Sequence, residues 1–272
     1  MNPLIVIRGG GDLASGTALR LHRAGFSVVI LELDQPMAVR RGVAFSEAVY
    51  EGTHSVEGTI SRLVSPDQLM VSLEAGEIPV VIDPNARILS NQFLTSPNNT
   101  FLVDARLMKT APEALDVKLP LHVGLGPGFT AGENCTAVVE TRRGHTLGRV
   151  YWEGTSLPDS GQPDGDPNRV LRAGSDGTLT THVEIGDPLQ KEQLIGEINA
   201  SVGDGKEQIV SPFAGVMRGL LRNGFEVTAG MKLGDVDARN DRSACFTVSD
   251  KALAVGGGVV EAVMVKLRQI ES

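Results

Sequence analysis

A short apolar strand that runs into three consecutive glycines and then into a helical pattern constrains this chain more than any other feature. Leu4-Ile5-Val6-Ile7 is wholly apolar and largely β-branched, as in a parallel strand buried on both faces. Gly9-Gly10-Gly11-Asp12-Leu13-Ala14-Ser15-Gly16 follows. Leu13, Ala18, Leu19 and Leu21 then recur at helical spacing up to Ala24-Gly25, where Gly25 reads as a C-cap. Val28 to Glu32 is a second buried strand, which closes a β-α-β unit of about 30 residues, the size of a parallel crossover. In Gly9-x-Gly11-x-x-Ala14, Gly9 permits the sharp turn, and Gly11 with Gly10 lets backbone amides approach a phosphate. Ala14 is small enough for helix-to-strand contact. The helix start at Asp12 and Leu13 adds unpaired N–H groups and a partial positive charge. Glu32, 21 residues after Gly11, stands where an acid binds ribose hydroxyls. The expectation is a nucleotide held on this turn; the competing reading is three glycines that merely make a tight bend. Asp12 repels a phosphate there unless it caps the helix or faces a cation.

The rest of the first half continues the α/β pattern. Arg40 and Arg41 follow the second strand, either as a carboxylate or phosphate clamp or as a solvated basic pair. Glu47 to Glu51 is predicted as an edge strand, Val56 to Leu63 as a short helix, and Ser65 to Met70 as a helix capped by Ser65 with Pro66 at its first position. Pro79 to Asp83 and Thr100 to Asp104 are buried strands ending in acids; Asp83 and Asp104 either line a ligand rim or cap the following turns. Leu121-His122-Val123 leads into a second glycine turn, Gly124 to Gly132, whose Gly126 and Gly128 are candidates for a ligand loop facing the first. His145, on the turn after the strand Val138 to Thr141, is a candidate acid/base group or a surface residue.

The second half repeats itself. After the Pro, Gly and Asp-rich stretch 156–168, Gly186 to Ile198 aligns with Gly224 to Val236 at an offset of 38. Gly186 matches Gly224, Leu189 matches Val227, Ile195 matches Leu233, and Ile198 matches Val236. Short strands between regular glycines predict a small two-fold all-β unit. It resembles the biotinyl/lipoyl carrier domain, including the segment Ser211-Pro212-Phe213-Ala214-Gly215-Val216. The hairpin Asn199 to Gln208 offers only Lys206 for modification, so the unit reads as structural or docking rather than as a swinging arm. Ser243 to Asp250 is predicted as a strand running into a helix capped by Ser249. In that helix Gly256-Gly257-Gly258 costs about 1 kcal/mol per glycine, which implies close approach to a backbone or a ligand. Cys245 is either a small buried hydrophobe or a thiolate for sulfur or redox chemistry.

The chain therefore divides into an α/β Rossmann-like parallel-sheet domain (1–155), a linker (156–168), a barrel-sandwich domain (169–240) and a C-terminal strand and helix (241–272) able to pack back on the first domain. With 25 basic and 33 acidic residues among 272 the net charge is −8, which disfavours a nucleic-acid partner. No apolar run approaches the roughly 20 residues of a membrane helix, and Met1-Asn2-Pro3 enters a strand without export features, so no membrane partner and a cytoplasmic location are expected. Two cysteines are too few for a disulfide framework or a four-thiolate zinc site, so no metal is expected.

Ile7 to Gly16, Leu21 to Phe26, Pro36 to Arg41, Phe45 to Gly52, Gly126 to Gly132, Arg143 to Val150, Ser249 to Ala252 and Gly256 to Ala262 together resemble the selenium-dependent molybdenum hydroxylase accessory family, itself similar in outline to xanthine dehydrogenase accessory factors. That resemblance implies a maturation protein whose partner is a molybdenum hydroxylase or its cofactor machinery, and it leaves room for a homo-oligomer. The expected cofactor is a nucleotide held by Gly9 to Ala14, Glu32, Gly126 and Gly128, a molybdopterin dinucleotide in this reading and NAD(P) in the oxidoreductase alternative. In this reading Cys245 relays sulfur or selenium. The alternatives are an NAD(P)-dependent oxidoreductase with His145 as acid/base, and a non-catalytic interaction protein.

Overall fold

A computed structural model describes residues 3–91, 99–161, 166–200 and 205–271; positions 162–165 of the expected linker and 201–204 of the expected hairpin lie outside them. The chain divides into two compact units. The larger runs to Pro36, from Ala44 to Ser160 and from Val248 onward, and the smaller comprises Met37–Val43 and Gly161–Thr247.

In the larger unit β1 (Leu4–Arg8), α1 (Asp12–Arg23) and β2 (Ser27–Glu32) form the opening crossover, with Gly25 at φ 89 ending the helix. After α2 (Ala48–Glu51) come β3 (Thr53–Val56), β4 (Thr59–Leu63), α3 (Leu69–Glu74), β5 (Ile78–Ile82), β6 (Thr100–Asp104), β7 (Leu121–Leu125), β8 (Thr130–Ala131), β9 (Ala137–Val139), β10 (Val150–Tyr151) and β11 (Gly154–Thr155). Nine of these strands make one sheet in the order β10-β9-β7-β6-β1-β2-β5-β4-β3, and β8 pairs separately with β11. The central strands are parallel, but β3 and β10 run antiparallel at the two edges. The Rossmann-like parallel sheet expected from the sequence is thus corrected to a large mixed sheet.

Two local expectations also change. Val56 to Leu63 is a hairpin, not a helix: Glu57 (φ 47) and Gly58 (φ 81) both adopt positive φ, the geometry that reverses two antiparallel strands in two residues. Glu47 to Glu51 is helical rather than an edge strand, because Phe45–Glu47 turns down onto the N-terminus of α1, where the Ser46 amide donates to the Gly10 carbonyl at 3.0 Å.

The last helix, α4 (Asp250–Glu271), packs along α1 and against β7, β9 and β10. Its glycines serve backbone contact: a Cβ on Gly256 would lie 2.9 Å from the Gly16 carbonyl oxygen, and one on Gly258 would lie 2.2 Å from that of Gly148. The predicted strand before it is instead a 3-10 turn, Arg242–Cys245. Among the described residues no helix is long and apolar enough to cross a membrane.

The smaller unit contains β12 (Val170–Arg172), β13 (Gly177–Thr181), β14 (Pro188–Leu189), β15 (Leu194–Ala200), β16 (Lys206–Val210), β17 (Gly215–Leu220), β18 (Glu226–Val227) and β19 (Lys232–Asp237). They form two four-stranded sheets, β12-β19-β17-β14 and β16-β15-β13-β18, over one apolar core that includes Leu179, Ile198, Met217 and Leu233. The repeat is visible in the backbone: Gly186 and Gly224 share positive φ (96 and 83), as do Glu192 and Gly230 (67 and 83). Among the described residues no strand pairing joins the two sheets, so the expected barrel-sandwich is corrected to two open sheets.

Candidate functional site

The opening glycine turn is filled by the protein itself. The Gly10 amide donates to the Glu32 carboxylate at 2.6 Å, and the Leu33 amide donates to the other oxygen at 2.8 Å. The Gly10 carbonyl accepts from Ser46 N and from Ser15 Oγ, and a Cβ on Gly10 would lie 2.9 Å from Ser46 N. Gly9 takes φ 91, Gly11 caps α1 in extended geometry, Asp12 begins the helix, and Leu13 and Ala14 are buried. Burial raises the Glu32 pKa, while the Leu33 and Gly10 amides pull it back. An internal carboxylate therefore holds the amide that would meet a phosphate. Glu32→Ala strands the buried Gly10 N–H and frees the half-buried Leu33 N–H, and we expect a loss of about 2 kcal/mol in a urea melt followed by Trp152 fluorescence, Trp152 lying in the same unit.

The other sequence candidates are dispersed. Gly126 (φ 79) and Gly128 (φ 97) shape the second turn by close approach: a Cβ on Gly126 would meet Thr141 Oγ1 at 2.6 Å, and one on Gly128 would meet the Thr110 carbonyl at 2.4 Å. His145 is exposed on the larger unit. Cys245 belongs to the smaller unit, fully buried, with its thiol 3.7 Å from the Met217 carbonyl and its pKa raised by burial. Asp83 caps a turn through the Ile88 amide at 2.8 Å.

The structure instead gathers chemistry at the carboxyl ends of β1 and β6 and along β7. Cross-strand register pairs Arg8 with Asp104, Asp104 with Gly124, and Leu102 with His122. Because side chains alternate along a strand, Arg8, Asp104 and His122 share one face with Val6 and Leu102. Arg8 is buried, its guanidinium 2.6 Å from Glu113, 3.0 Å from the Pro84 carbonyl and 3.5 Å from Asp104. Arg106 forks onto both oxygens of Asp104 (2.9 and 2.6 Å) and reaches Glu113 at 2.8 Å. These arginines overcome partial burial and hold the Glu113 carboxyl at about 2.

Beside this network opens a cleft of about 590 Å³ lined by Glu113, Asp116, Lys118, His122, Glu133 and Cys135, among others. His122 packs edge-on to Phe129, ring centroids 6.0 Å apart, and its Nε2 is buried with no hydrogen-bond partner among the described residues. Burial, helped by Arg8 and Arg106 and opposed by Asp104, pushes its pKa down to about 4, so the imidazole is neutral at pH 7. Burial likewise lifts the Cys135 thiol to about 11, although the Gly124 and Ala137 amides point at the sulfur. Among the described residues no three His, Cys, Asp or Glu side chains gather closely enough to hold a metal ion. A neutral imidazole and a neutral thiol in an open cleft can accept and donate hydrogen bonds to a ligand. Sequence reading passed over His122, Arg8 and Cys135. For Arg8 and His122 the signal was a polar residue ending or inside an otherwise apolar strand; Cys135, between β8 and β9, carried none.

No family model matches the chain. The uncharacterized protein YqeB of Escherichia coli (strain K12) is 41% identical over 271 residues, covering 98% of this chain and 48% of that protein. The chain thus spans about half the length of the curated relative it matches. Solved structures that align include the ectoine utilization protein EutE from Ruegeria pomeroyi (9% identity, TM-score 0.27, 86% of each chain). An aspartoacylase family protein from Mesorhizobium loti aligns at 8% identity and a TM-score of 0.29, over 86% of this chain and 84% of the other. A succinylglutamate desuccinylase/aspartoacylase from Rhodobacter sphaeroides aligns at 13% and 0.28, over 86% and 85%. TM-scores this low define no shared chemistry. The glycine turn that the nucleotide readings require is occupied from within by the Glu32 carboxylate. The expected family resemblance is therefore corrected, and with it the maturation role, the NAD(P) oxidoreductase and the Rossmann nucleotide site.

Proposed function

We propose that the larger unit is a binding domain for a small amine-bearing molecule, and that its site is the cleft along β7. The observation that carries the reading is the buried, partnerless Nε2 of a neutral His122 in the wall of an open cleft. A buried polar atom left unsatisfied costs about 1–3 kcal/mol, a cost that a ligand hydrogen bond removes. The charge of the lining favours a donor-rich cation. Glu113 is already engaged by two arginines, and Asp116 and Glu133 face the cleft against Lys118 alone. Both cysteines are free thiols, which fits a reducing compartment such as the cytoplasm.

Ethanolamine and acetate are probes of similar size and opposite charge. Ethanolamine is expected to raise the melting temperature and to shift the His122 ring-nitrogen resonances, whereas acetate does neither, and His122→Phe removes the response. A response to acetate alone, or to neither probe, rejects this reading.

A further inference from the structure

We propose that the segment from Leu107 to Pro120 is a hinged cover over the His122 cleft and that Glu113 is its latch. The inference rests on the cleft being a ligand site and concerns how that site is reached. Residues 107–120 form no helix or strand, so no backbone ladder holds them, yet Pro112 to Leu119 make one wall of the cleft. Their attachment is by side chains. Leu115, Val117 and Leu119 pack, partly buried, against the core around Leu102, and Glu113 binds Arg8 at 2.6 Å and Arg106 at 2.8 Å.

The near end of the segment has the features of a hinge. Leu107 sits at φ 57, a conformation an L-residue seldom adopts. The carbonyls of Met108 and Thr110 rest where a side chain on Gly128 would stand, 2.9 and 2.4 Å from its Cβ. That glycine gives the cover a seat on the second turn.

Release of the latch leaves both arginines with partners. Without Glu113, Arg8 keeps Asp104 and the Pro84 carbonyl, and Arg106 keeps its two-point contact with Asp104. The Glu113 side chain is 53% exposed, so its freed carboxylate turns into water at little cost. The latch is therefore an attachment that opens while the network beneath stays intact.

Cys135, which lines the same cleft from another segment, reports opening without any ligand. The protein is treated with N-ethylmaleimide, and modification of each cysteine is followed by peptide mass spectrometry, with Cys245 in the smaller unit as the clock for general unfolding. Glu113→Gln is expected to speed Cys135 labelling about tenfold, to leave Cys245 unchanged and to raise amide exchange across 107–120. Added sodium chloride should speed Cys135 labelling in the wild-type protein and not in the variant. Unchanged Cys135 labelling in Glu113→Gln, or equal acceleration of both cysteines, overturns the cover. Faster labelling that ethanolamine does not slow supports the cover and rejects the amine site. Ethanolamine binding with unchanged labelling does the reverse.

Discussion

Gly124→Ala is expected to destabilise the larger unit by about 3 kcal/mol, seen as an earlier urea midpoint in Trp152 fluorescence. A Cβ at Gly124 would stand 2.1 Å from Phe129 Cγ and 2.6 Å from Phe129 Cβ. Neither side can yield. Gly124 is fixed in the sheet between Asp104 and Val138, and Phe129 is fully buried, with its ring edge-on to His122. The strain must displace the ring or the strand, and β7 is the strand that brings His122 to the cleft. Phe129→Leu in the same chain frees volume beside the new methyl group, so the double variant should lose less than the sum of the two single losses. A Gly124→Ala melt that overlays the wild type would show that this packing is soft.

The sequence carried the elements of the first crossover because each signal was local: an apolar strand, a glycine turn, a helix with Gly25 at its end, and a second apolar strand. Pattern alone left open what the turn was for. The answer depended on Phe45–Glu47 folding onto α1 and on Glu32 reaching Gly10, contacts between residues 22 or more apart. The 38-residue repeat was legible down to backbone conformation, with Glu192 standing where Gly230 does. Whether its sheets close was not, because closure depends on edges that never meet. The Val56–Leu63 hairpin was hidden by Glu57, a residue whose positive φ composition does not announce. The cleft was missed for another reason. His122, Cys135 and Glu113 lie on three segments, brought together by the register of Leu102 with His122, the hydrogen bonds between His122 and Thr136, and the Glu113 ion pairs.

His122 should also govern stability in mild acid. Its pKa is about 4 in the folded protein against an ordinary 6.5, so between those values the unfolded chain binds a proton that the native ring refuses. Stability then rises with pH across the window. Its contribution is fully present above about pH 6.5 and lost as pH falls to about 4, a change on the order of 3 kcal/mol. Other groups act nearby. His22, also lowered by burial, adds a change of the same sign, whereas Glu32, raised by burial, gives one of the opposite sign near and above 4.5. Glu113, held at about 2, loses its contribution only below 4.5, as pH falls toward 2. Asp237, also at about 2, belongs to the smaller unit and Trp152 to the larger. Comparison of wild type with His122→Phe cancels these shared terms. The wild-type profile should fall more steeply than the variant's between pH 6.5 and 4, and the two should run parallel on either side. Parallel profiles throughout would mean that the ring takes up its proton in the fold as readily as in water. The cleft would then be wet enough to satisfy Nε2 without a ligand.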